Sequence, residues 1–167
     1  TTTKKPTTTT KKPTTTTKKP TTTTKKPTTT TTRRPSTTQA PAGVTINDAS
    51  FLNQSAAVIN TARAAEGVAS IRSDSNMARA AAVRAQEISR SFSHTRPNGR
   101  SWYTVNSKIM GGENLAYGYY DANSAVDAWM NSPTHRENIL WPEFTKVAIS
   151  VYAADDGTYY WAQEFGY

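Results

Sequence analysis

The first thirty-five residues carry no aliphatic or aromatic side chain other than proline, so any folded core has to be built from the rest of the chain. Thr1 to Pro35 repeats Thr-Thr-Thr-Thr-Lys-Lys-Pro at a period of seven and ends as Arg33-Arg34-Pro35. A segment with nothing to bury cannot offset the entropy lost on ordering, which predicts a disordered, extended tail. Proline and like-charge repulsion stiffen it, and over residues 1–43 its upper reach is about 130 Å at roughly 3.1 Å per residue. Ten of the twenty Lys and Arg lie in this tail, and none of the twelve Asp and Glu. The remainder carries a net charge of −2, so the basic balance belongs to an appendage and not to a domain surface.

A spacer is the simplest role for such a tail. A polycationic arm that touches anionic cell-wall polymers is the sharper one. Specific nucleic-acid binding is disfavoured, because the repeat has no aromatic side chain on which bases stack. The threonines also suit O-glycosylation, and a Thr/Lys/Pro spacer belongs outside a cell. Cysteine is absent, which removes thiol nucleophiles, thiolate metal ligands and disulfides together. No signal peptide or membrane-spanning run is read in these residues. They begin at Thr1 and not at Met, so that absence carries little weight.

The predicted division is residues 1–43 as linker and 44–167 as one domain, with linker character persisting through Ser36 to Asn47. Phe51, Leu52, Ala56, Ile59 and Ala62 recur at spacings of three and four, which predicts a helix from Ala49 to about Ala65. Val68 to Ser73 reads as a connection. Asp74 or Ser75 caps a second helix to about Ser91, with Met77, Ala80, Ala81, Arg84, Ala85 and Ile88 on an alanine-rich face that permits close approach. Pro97-Asn98-Gly99 signals a turn, and Ile109 to Tyr117 a short strand. Asp121 or Asn123 starts a third helix that puts Val126, Trp129 and Met130 on one face. Ser132 and Pro133 start a fourth, which Trp141-Pro142 ends. Val147, Ile149 and Val151 alternate with Ala148, Ser150 and Tyr152, and Asp156-Gly157 turns the chain into a returning strand from Tyr159 to Phe165. Helices followed by an antiparallel pair predict an α+β domain, and about 120 residues suffice for one core without disulfides.

Chemistry concentrates at two places. Glu113 follows two glycines, where the backbone can turn or be closely approached. His135 falls in the first turn of the fourth helix, and the other histidine, His94, sits just beyond the second. Glu137 lies two residues from His135 and points about 200° away on a helix.

Four motifs in order then resemble the CAP superfamily of cysteine-rich secretory, antigen 5 and pathogenesis-related proteins, closest to its cysteine-free bacterial branch. They are Phe92-Ser93-His94-Thr95 with Pro97-Asn98-Gly99-Arg100; Gly112-Glu113-Asn114-Leu115-Ala116-Tyr117-Gly118; Ala128-Trp129 through Ser132-Pro133-Thr134-His135-Arg136-Glu137-Asn138-Ile139-Leu140; and Tyr160-Trp161-Ala162-Gln163-Glu164-Phe165-Gly166. The resemblance covers about residues 49 to 167. It implies an α-β-α sandwich, a small antiparallel sheet between helices, with an open cleft lined by His94, Glu113 and His135. Eukaryotic members have a histidine in the final motif where this chain offers Tyr160.

Two imidazoles and a carboxylate form a divalent-metal set, so His94, Glu113 and His135 are also candidate ligands for zinc, which is reported in relatives. No cofactor is required by this reading, and a hydrogen-bonded His-Glu-His network is the competing one. No Gly-x-Ser-x-Gly elbow supports a serine hydrolase. The expectation is therefore a secreted or cell-surface binding module for a small apolar ligand, a glycan or a protein partner, with Tyr117, Tyr119, Tyr120, Trp141, Tyr152 and Tyr159 as available aromatic surface. A metal-dependent hydrolase or protease-like enzyme using the same cleft is the alternative, and no catalytic residue is assigned.

Overall fold

The computed structural model describes residues 43–167. The disordered tail expected over 1–43 thus lies outside the described residues, apart from Gly43. Among the described residues there are five strands and four α-helices: β1 (Val44–Ile46), α1 (Ala49–Ala65), β2 (Arg72–Ser73), α2 (Ser75–Arg90), β3 (Gly112–Tyr117), α3 (Ala122–Met130), α4 (Pro133–Leu140), β4 (Lys146–Ala153) and β5 (Tyr159–Gly166).

Local chemistry explains the helix starts. Asp48, Asp74 and Asp121 each accept a hydrogen bond from a backbone N–H three residues on, at 3.0, 2.9 and 2.8 Å, which satisfies one of the otherwise unpaired donors of the first turn. Ser132 occupies the corresponding position before α4, but its hydroxyl makes no capping bond. Pro133 at the first helical position compensates, having no N–H to satisfy.

The strands run in the order β1-β4-β5-β3, antiparallel throughout, and β2 adds a short parallel pairing to β4. Two of these pieces differ from the sequence expectation. Val44–Ile46, inside the stretch read as linker, pairs with Val151–Ala153, and Arg72–Ser73, inside the expected connection, pairs with Lys146–Val147. Strands of three and two residues hold no periodicity of their own; pairing with β4, far along the chain, defines them. The expected strand from Ile109 begins at Gly112, because Ile109 and Met110 donate their N–H groups back to Asn106 O in a turn.

Pleating divides the sheet between two faces. Val147, Ile149, Val151 and Ala153 of β4, with Trp161 and Phe165 of β5, pack with Ile59, Trp129, Ile139 and Phe144, so α1, α3 and α4 cover one face. Ala148 and Ala162 face Met77, Ala78, Ala81 and Ala85, so α2 covers the other. The small alanines let α2 sit close enough for the Ser150 hydroxyl to donate to Ala78 O at 3.1 Å. This is the α-β-α sandwich of an α+β domain.

A buried cation stabilises the larger layer. Arg63, fully buried near the end of α1, donates to the carbonyls of Ala69, Ile139, Trp141 and Phe144 at 2.7–3.3 Å. It thereby satisfies carbonyls at the end of α4 and fixes the chain that leads into β4. Arg63→Ala would leave these acceptors unpaired around a cavity, and is expected to cost about 3–5 kcal/mol in denaturant unfolding. A loss below about 1 kcal/mol would contradict this assignment.

Candidate functional site: the free edge of the sheet

β3 is an edge strand, paired with β5 on one side only. Its first residues are fixed by close packing: a side-chain carbon at Gly112 would come within 2.9 Å of the Phe144 ring. Glycine there lets β3 press against Phe144 and delivers Glu113 to the α2 side of the sheet.

Glu113 is buried and its carboxylate is fully engaged. Arg84 of α2 donates through Nε to Oε2 at 2.6 Å and through Nη2 to Oε1 at 3.3 Å. His94 Nδ1 lies 2.7 Å from Oε1 and must be the donor, since a carboxylate only accepts. The same Arg84 donates to Glu87 at 2.6 Å and to Ser93 O at 2.7 Å, and Glu87 is held in turn by Arg96 at 2.7 Å. Burial works against the charge on Glu87, but the Arg96 and Arg84 guanidiniums outweigh it and hold its carboxyl below the usual range. This ladder joins α2, the loop after it and β3.

His135 is attached by different bonds. Asn114, on the opposite pleat from Glu113, donates to His135 O at 3.0 Å and to Gln163 Oε1 at 2.8 Å. Asn138, one turn along α4, donates to Asn114 Oδ1 at 2.9 Å and to Glu113 O at 3.2 Å. Partial burial, and after it the nearby His94, push the His135 ring below the ordinary imidazole value, so it is uncharged at neutral pH.

The structure therefore brings His94 and Glu113 into contact and leaves His135 on the other wall. His135 lines a hollow of about 480 Å³ with Phe92, Tyr117, Tyr119, Trp129 and Ser132, whereas His94 and Glu113 do not line it. Glu137 is exposed. Among the described residues no group of three His, Asp or Glu is placed to hold a metal ion. With its oxygens committed to Arg84 and His94, Glu113 does not fit the role of third zinc ligand. Of the aromatic residues singled out from the sequence, Tyr117 and Tyr119 reach the hollow, while Tyr159 is buried in the core.

Sequence reasoning missed the residues that hold the site. Arg84 was placed on the apolar face of α2, and a charged group at a core position was the signal that a buried partner must exist. Glu87, Arg96, Asn114 and Asn138 gave no comparable signal. Glu164 was a further one, an acid within an apolar strand. It stands opposite Glu113 in the β3–β5 register, fully buried, with no donor in hydrogen-bond range of either oxygen. Burial first, then the charge of Glu113, push its carboxyl well above the usual range, with Arg84 opposing.

The native chain thus holds the Glu164 proton to higher pH than the unfolded chain, which releases it at about pH 4.3. A raised native value contributes fully in acid and costs stability as pH rises past the unfolded value. Glu164→Gln removes that requirement. It is expected to raise Tm by several degrees at pH 7, with the gain shrinking toward zero at about pH 3. A lower Tm at pH 7, or an equal shift at both pH values, would contradict the neutral buried carboxyl.

Comparison with known proteins agrees with this architecture. The model of the cysteine-rich secretory protein family, CAP, matches residues 56–165. Uncharacterized protein YkwD of Bacillus subtilis (strain 168) is 29% identical over 113 residues, 64% of this chain and 43% of that protein, so the chain spans less than half of that relative's length. An outer surface protein from Borrelia burgdorferi superposes with a TM-score of 0.61 at 18% identity, over 74% of this chain and 97% of that one. An extracellular protein containing a SCP domain from Bacillus anthracis does so with a TM-score of 0.60 at 23% identity, over 70% and 40%. These two likenesses are likenesses of fold. The matched region spans nearly all of the sandwich, and the chain lacks cysteine as the bacterial branch does; it belongs to the cysteine-rich secretory protein family.

Proposed function

We propose that this domain acts outside the cell as a binding module, with its ligand received in the hollow beside His135 and with β3, the strand along that hollow, held in place by the Arg84–Glu113–His94 ladder. The observation that carries this reading is the state of Glu113. A general base needs a lone pair free to take a proton from substrate or water. The Glu113 carboxylate instead accepts three hydrogen bonds from Arg84 and His94, and the side chain is buried and does not line the hollow, out of reach of a substrate held there. Such a carboxylate orients His94 and ties β3 to α2, which suits a pre-formed wall better than a reacting group. The binding role requires no resident metal.

An extracellular setting is supported by the likeness to an outer surface protein of Borrelia burgdorferi and an extracellular protein of Bacillus anthracis. No helix among the described residues is long and apolar enough to cross a membrane. The Thr/Lys/Pro tail, which lies outside the described residues, is proposed as a spacer whose cations contact anionic cell-wall polymers.

Ala128 lines the hollow, so Ala128→Trp should fill it without touching the Arg84–Glu113 ladder. Full-length protein recovered from its native source is expected to carry a ligand in native mass spectra, lost in Ala128→Trp and retained after EDTA. Ligand loss on EDTA treatment, or metal-stimulated hydrolysis abolished by His94→Ala and His135→Ala, would favour the enzyme alternative and overturn this reading.

A further inference from the structure

Two rings stand upright on the surface next to the hollow. Phe92 is 48% and Tyr117 57% exposed, and they meet edge to face with centroids 4.9 Å apart at 73°. Tyr117 is backed by Tyr160, stacked at 6.0 Å and 26°, so its position is fixed from behind while much of the ring stays open to solvent. Phe92 and Tyr117 line both the 480 Å³ hollow and a second one of about 280 Å³, so they form a ridge between the two. Exposed aromatic surface that fills no core requirement marks a contact site.

The polar groups around the ridge are selective in charge. Ser132 and His135 lie on one side, Ser89, Arg90 and Tyr160 on the other, and neither hollow has an Asp or Glu among its lining residues. That is selective in a domain where acids outnumber bases. Arg90 is exposed and, among the described residues, forms no ion pair. Ser132 makes no capping hydrogen bond and lines the larger hollow beside His135.

We propose that the ridge and its two hollows bind an acidic oligosaccharide, with sugar rings stacked on Tyr117 and Phe92 and a sugar carboxylate paired with Arg90. The proposal deepens, and rests on, the reading of the hollow as the ligand site. Aromatic faces take the apolar C–H face of a pyranose, and the surrounding hydroxyls and imidazole take its polar edge. A guanidinium supplies the planar two-donor fork that suits a carboxylate. A divided, open tract with a polar rim is unlike the continuous apolar channel that an acyl chain needs.

The test is calorimetry on the full chain at about 0.15 M salt, where long-range attraction to the tail is screened. Hyaluronan tetrasaccharide is compared with tetra-N-acetylchitotetraose, which shares its N-acetylglucosamine units but has no carboxylate. The acidic sugar is expected to bind saturably and more tightly than the neutral one. Tyr117→Ala should weaken it about tenfold and Tyr117→Phe hardly at all, as stacking requires. Arg90→Gln should erase the preference for the acidic sugar. Attraction to the tail would be common to all these variants, so affinity unchanged in Tyr117→Ala and Arg90→Gln would overturn the assignment. If laurate binds in an Ala128→Trp-sensitive manner while the tetrasaccharide does not bind, the hollow remains a ligand site and the saccharide assignment fails. If neither probe responds to Ala128→Trp, both readings fail.

Discussion

A guanidinium on the core-facing side of a helix needs anions around it, and Arg84 recruits three elements of this domain to supply its acceptors. Its partners are Glu113 on β3, Glu87 on its own helix and the Ser93 carbonyl in the following loop. Each bond is charge-assisted, and together with His94 they leave no polar atom of the Glu113 carboxylate unmet. The position of His94 follows from this, because its Nδ1 docks on the oxygen that Arg84 holds in place. The raised Glu164 carboxyl follows too. A second carboxylate beside Glu113 cannot ionise readily when the one available cation is largely committed.

The two buried arginines divide the structural work between the faces of the sheet. Arg84 anchors β3 to α2, and Arg63 anchors α1 to the end of α4 and the start of β4. Between them, Asn114 and Asn138 lock α4 against the edge strand from the opposite pleat. His94 and His135 therefore occupy walls that are fixed independently. The two hollows meet at the Phe92–Tyr117 ridge, and Glu113 lies buried outside both.

How much of this was legible in the sequence depended on how local the cause is. The four helices and the β4–β5 hairpin could be read directly, since the spacing from Phe51 to Ala62 and the starts at Asp74, Asp121 and Pro133 are local and the alternation from Val147 to Val151 needs no distant partner. The residues of β1 and β2 could not, because pairing alone defines them. The motifs pointed to His94, Glu113 and His135 but not to the split between them, which depends on strand parity. Glu113 and Asn114 are neighbours in sequence yet serve opposite faces. Arg84 was visible as an oddity on an alanine-rich face, and only the fold reveals which carboxylate answers it.

Glu113 acts as a structural anion coupled to Arg84. A double-mutant cycle of Arg84→Met and Glu113→Gln, read by denaturant unfolding, tests it most directly. Each single substitution is expected to cost about 3–5 kcal/mol by stranding its buried partner, and the double variant clearly less than their sum, with a coupling of about 2 kcal/mol or more. Additive losses, with coupling within about 0.5 kcal/mol of zero, would mean that the two residues act independently and that the ladder does not build the cleft wall.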